Sequence, residues 1–155
     1  NLRAIYLEEL GDRACAESVY RQASEWPMAG FNLALLLHKS KRHQEALEVI
    51  DQVLERSPQP AYLVLKGDIV AALGQQSAAR LLHQDAVGRV VDPTKQSVWS
   101  LGWLTRCARS LGHEDLVQKF REASAAQIEA EEDSVLQGAL LPERGDGNSE
   151  MREAA

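Results

Sequence analysis

Aromatic residues, cysteine, proline and long apolar runs are all scarce in this sequence. Aromatic side chains make up 5% of its 155 residues, while Ala and Leu dominate an apolar fraction of 45%. Strands favour β-branched and aromatic residues, so the scarcity argues against a sheet and for helices. The two cysteines, Cys15 and Cys107, are distant and lack ligand spacing. That argues against a disulfide framework or a cysteine-bound metal, and two buried free thiols in a reducing, cytoplasmic setting are expected instead. No apolar stretch reaches the ~18 residues a membrane-spanning helix needs, so direct membrane insertion is not expected. No signal peptide is visible either, and a start at Asn1 rather than Met leads us to expect a piece of a longer protein or a processed form.

A basic excess is also missing. Residues 1–112 carry 13 basic and 12 acidic side chains, and residues 113–155 carry 4 and 11, giving +1 and −7 for a total of −6. Such a chain offers no face for a phosphate backbone, so nucleic acid is not an expected partner. Catalytic signatures are absent as well. The sequence has no Gly-rich phosphate loop and no His-Glu-x-x-His pattern, so neither an enzyme nor a bound cofactor or metal is expected. The four histidines are His38, His43, His83 and His113. His38 and His43 stand five apart across a turn, a spacing not expected to bring two imidazoles side by side. The acidic run Glu129–Asp133 reads as a solvated helix face.

Helical periodicity fills what is left. Between Phe31 and Pro58, one run aligns Phe31, Leu33, Ala34 and Leu37, and a second aligns Ala46, Leu47, Ile50, Val53 and Leu54. These three- and four-residue spacings belong to two amphipathic helices joined by a polar turn. One hairpin cannot bury both faces, so the unit needs neighbours like itself. Leu10-Gly11, Leu73-Gly74 and Leu111-Gly112 each end an apolar run and precede another, and Lys41 takes the glycine's place in the second unit. Turns at 11, 41, 74 and 112 imply a period of 30 to 38 residues. Gly at such a place permits the left-handed backbone that ends a helix.

The pattern resembles the tetratricopeptide repeat family, whose unit of ~34 residues is a helix–turn–helix. The second unit carries the match most fully, in Leu33, Ala34, Leu37, Ala46, Ile50, Val53 and Pro58. The third carries Leu63, Gly67, Val70, Ala79 and Ala86, and the fourth Leu101, Leu104, Ala108, Leu116, Phe120 and Ala123. The first is truncated, with Ala16 and Tyr20 in core places. The resemblance implies an all-α, right-handed superhelix of about four helix–turn–helix repeats plus a C-terminal capping helix. The expected domain spans residues 1–137, with units at 1–26, 27–59, 60–93 and 96–126 and the cap running to 137. Residues 138–155 are expected to form an acidic, polar, disordered tail. Small residues (Ala34, Gly67, Ala46, Ala79) belong where helices approach closely, and large ones (Leu33, Leu37, Ile50, Phe120) between units.

In this family the first helix of each unit lines a concave groove. The resemblance therefore places Phe31, Asn32, Leu35, His38 and Lys39 in the groove from the second unit. The third unit adds Val64, Leu65, Asp68, Ala71 and Ala72, and the fourth Trp99, Gly102, Trp103, Arg106 and Arg109. Trp99, Trp103 and Arg106 share one helix face and are of the types enriched at interface hot spots. In members that grip the carboxylate tail of heat-shock chaperones, an Asn matches Asn32. The other four clamp positions here hold Leu2, Tyr6, Ala61 and Leu65, so that clamp is not expected. The implied function is a scaffold that binds a peptide or helix of a partner protein. The alternatives are self-association into a homo-oligomer through Leu2, Ile5, Leu7 and Leu10, or a docking segment of a larger enzyme, chaperone or secretion system.

Overall fold

A computed structural model describes residues 2–140, with side chains described through residue 135. Within them lie eight α-helices: α1 (Leu2–Glu9), α2 (Arg13–Gln22), α3 (Pro27–Lys39), α4 (His43–Arg56), α5 (Pro60–Ala72), α6 (Gln76–Gly88), α7 (Val98–Leu111) and α8 (Glu114–Leu140). A single 3₁₀ turn, Pro93–Lys95, separates α6 from α7. The region expected as a disordered tail falls largely outside the described residues, although α8 continues through Leu140.

Each hairpin turns in the same way. Gly11, Lys41, Gly74 and Gly112 have φ of 81°, 62°, 87° and 79°. After each, the next backbone N–H reaches back five residues: Asp12 to Leu7, Arg42 to Leu37, Gln75 to Val70 and His113 to Ala108, at 2.9 to 3.1 Å. This Schellman arrangement satisfies carbonyls that the helix end would leave orphaned. The helix starts are equally local. Pro27 and Pro60 open α3 and α5 at a position where no N–H is needed. Asp12 and Ser97 cap α2 and α7 by accepting from the N–H groups of Cys15 and Ser100.

The hairpins α1/α2, α3/α4, α5/α6 and α7/α8 stack in order, each touching its neighbour. The expected large residues Leu33, Leu37, Ile50 and Phe120 are all buried between them. Of the expected small ones, Ala34, Ala46 and Ala79 are buried, and Gly67 sits at a close approach, since a Cβ on it would collide with the His83 ring. Gly30, not among those expected, is another, since its Cβ would lie 2.5 Å from Val53 Cγ2. One apolar cluster centres on Phe31, Leu37, Ile50 and Tyr62, and a second on Leu104, Cys107, Val117 and Phe120; Trp103 packs against both. Outside the core, Arg42 bridges Glu17 of α2 at 2.7 Å and Glu45 of α4 at 2.6 Å, tying the first hairpin to the second. Gln127 of α8 donates to the Thr94 and Gln96 carbonyls, pinning α8 to the 3₁₀ turn. Beyond it, residues 128–135 are exposed.

One expectation about the thiols needs correcting. Cys107 is buried, and burial pushes its thiol up to about 11. Cys15 is exposed instead, because it lies in the first turn of α2, on the side away from Ala16 and Tyr20.

Candidate functional site

Helix α5 is enclosed along most of its length. It lies against α3, α4, α6 and α7, and Ala61–Leu65, Gly67, Ile69 and Val70 are all buried. Helix α7 packs on α5 and reaches over it to α3. Trp99 and Trp103 do so, and both indoles meet the Phe31 ring of α3 edge-on, with centroids 5.0 and 5.2 Å away. Tyr62 completes the cluster at 5.2 Å from Phe31. These distances and tilts are those aromatic pairs prefer.

The expected groove residues therefore divide. Phe31, Val64 and Leu65 are core, exposed by 1%, 1% and 0%, so their side chains are not offered to a ligand. The reason is the crossing tryptophans above Phe31 and the nearly enclosed α5. Asn32, Leu35, His38, Asp68, Trp99 and Trp103 are half-buried, and Gly102, Arg106, Arg109 and Lys39 are exposed. Asn32 lies against the Tyr20 hydroxyl, which itself donates to Glu8 at 2.7 Å. Burial, then Glu8, hold that phenol above its usual value, with Asn32 acting in the opposite sense. The four positions that would complete a carboxylate clamp hold exposed Leu2 and Tyr6 and buried Ala61 and Leu65, none of them a donor through its side chain except the Tyr6 hydroxyl.

Asp68 joins three helices. Arg106 of α7 donates to its Oδ2 at 2.6 Å, and His83 of α6 faces its Oδ1 at 3.1 Å. Burial pushes the carboxyl up, but the bonds from His83 and Arg106 together outweigh it and hold the group below its ordinary range. The Arg106 guanidinium also stacks 4.7 Å above the Trp103 ring. Trp99, Gly102, Trp103 and Arg106 line a shallow depression. A Cβ at Gly102 would meet nothing within 4 Å. His83 was not singled out in the sequence, because nothing in the spacing of 68 and 83 marks them as partners.

The two histidines of the second unit also depart from expectation. His38 Nδ1 and His43 Nδ1 lie 3.2 Å apart, with ring centroids 5.0 Å apart. Five residues would separate them along a single helix, but the left-handed Lys41 reverses the chain between them. Burial, then His43, holds His38 below its usual value; Asp68 raises it and Arg106 lowers it.

Residues 11–99, more than half of the chain, match the tetratricopeptide repeat-like domain. The chain belongs to that family, a class of helical repeat scaffolds for protein–protein interaction. Among solved structures it resembles the MamA RS-1 ArsTM double mutant, at 23% identity and a TM-score of 0.52, over 80% of this chain and 72% of that one. A likeness at that identity concerns the fold. No curated protein matches the chain. Among the described residues, no helix is long and apolar enough to cross a membrane.

Proposed function

We propose that the inner face binds a peptide or helix of a partner protein, with Trp99, Gly102, Trp103 and Arg106 as its centre and Asn32, Leu35 and His38 along its flank. The observation that carries this reading is Gly102. A glycine inside a helix is about 1 kcal/mol worse than alanine. Neither a turn nor a close neighbour explains this one, since its backbone is helical and its missing Cβ would point into open space. What its absence leaves is access to two indoles and a guanidinium, already fixed by Phe31 and Asp68. A preordered surface loses little entropy on binding. Phe31, Leu65 and Asp68 support the site from behind.

The test uses a peptide library selected on the wild-type chain and rescreened against Gly102→Gln. The variant should gain about 0.5 kcal/mol of helix stability and lose the selected peptides at least tenfold. Equal affinity for both would remove this face as the site.

Self-association is a second reading, favoured by the exposure of Leu2, Ile5 and Leu10 at 84%, 40% and 65%, although Leu7, expected with them, packs against the core. An end unit without a polar cover tends to find one. Light scattering decides it, since a chain that stays monomeric as concentration rises would contradict it. The reading as a docking segment of a larger assembly rests on the same exposed end.

A further inference from the structure

We infer that His38 and His43 form a two-imidazole site for a divalent transition ion, with zinc as the representative case. Two zinc ligands at 2.0–2.1 Å in tetrahedral geometry stand about 3.3 Å apart. The two Nδ1 atoms stand 3.2 Å apart without any ion between them. The pair is held from both sides by backbone rather than by its own flexibility. His38 is in the last turn of α3 and His43 opens α4, and the Arg42 N–H to Leu37 carbonyl bond at 3.0 Å closes the turn between them.

Imidazole is a ligand suited to zinc, copper and nickel. Both rings must offer an Nδ1 lone pair, so both take the Nε2–H tautomer. For the 3.2 Å contact in the free pair to be a hydrogen bond, one ring must carry its proton on Nδ1. On binding, that proton leaves Nδ1 and a proton is taken up on Nε2 of the same ring, with no net release. The ion would sit 2.0–2.1 Å from each Nδ1, off the line that joins them. Among the described residues, no group of three or more His, Cys, Asp or Glu side chains could hold a metal. Asp68 is already engaged by His83 and Arg106. Water or an added ligand therefore supplies the remaining positions, and the site is an open one. Lys39 and Lys41 are exposed nearby in sequence and oppose a cation, which makes the ion exchangeable rather than permanently held.

The test is calorimetric titration of zinc chloride into the untagged full chain, beside His38→Ala, His43→Ala and His113→Ala. One equivalent should bind the wild type and His113→Ala alike, and each of the other two should weaken it about 10–100-fold. Nitrogen-15 spectra of the wild-type histidine rings decide the matter without any variant. Zinc should shift Nδ1 of His38 and His43 and leave His113 alone. No binding heat and no ring shift, binding retained in both His38→Ala and His43→Ala, or shifts confined to other histidines would overturn the assignment.

Discussion

Lys41 is the one non-glycine residue with positive φ among the described residues, at 62°. Left-handed backbone strains a residue that has a Cβ, whereas glycine adopts it freely. Lys41→Gly should therefore stabilise the chain, by about 0.5–1 kcal/mol once the greater freedom of glycine in the unfolded state is deducted. Urea unfolding measures it, and a loss of stability would mean that the lysine side chain contributes more than its backbone costs. Gly67 presents the opposite case. Its Cβ would strike the ring of His83, which is held by Asp68 and by the Val64 carbonyl. Gly67→Ala should cost about 1–3 kcal/mol, because the histidine must leave or the helices must part. An Ala variant as stable as the wild type would show that α5 and α6 can separate freely here. The sequence already marked Lys41 and Gly67, one by its place in the turn series and one by its size. It did not mark His83, since a partner on another helix leaves no trace in local spacing.

Asp68 acts between elements, joining α5 to α6 through His83 and to α7 through Arg106. Its folded-state value is depressed. A carboxyl so depressed contributes stability that is present above its unfolded value, about 3.9, and is lost as pH falls through the lower folded value. Wild type should therefore lose stability below about pH 4 more steeply than Asp68→Asn, which has no charge to lose. Thermal melts at a series of acid pH values compare the two slopes, and parallel slopes would remove Asp68 as the cause. The helices themselves were readable from three- and four-residue spacing, because each buries one stripe. Their turns were readable because a Schellman motif needs glycine or a tolerated substitute. The inner face was less so. Family register placed Phe31, Val64 and Leu65 on it, but register describes where a Cα points and not what a tryptophan two units away will cover. The His38–His43 pair is hidden for a related reason, since helical spacing does not apply across a chain reversal.

At the scale of the whole molecule, α8 runs on past the core that holds it. Val117, Phe120 and Ala123 of α8 are buried in the cluster shared with α7, Gln127 holds the 3₁₀ turn, and residues 128–135, expected as a separate capping helix, continue α8 as an exposed extension. Ending the chain after residue 130 should leave the melting temperature nearly unchanged, whereas ending it after residue 116 should melt α7 as well. Circular dichroism of the two truncations checks this, and a large loss in the longer one would show that the outer part of α8 supports the fold.

Repeat arrays are ordinarily one-dimensional in their energetics, since each unit senses only the next and the ends can fray alone. The meeting of Trp99 and Trp103 with Phe31 breaks that rule by linking the second unit directly to the fourth. Melting of α3 thereby removes the partner of two indoles some seventy positions along the chain. Cooperativity follows, so units two to four should unfold as a single calorimetric transition, with tryptophan emission changing in step with helix content. Phe31→Ala should cost about 3–5 kcal/mol and also divide that transition in two, a change in the shape of the curve as well as in its midpoint.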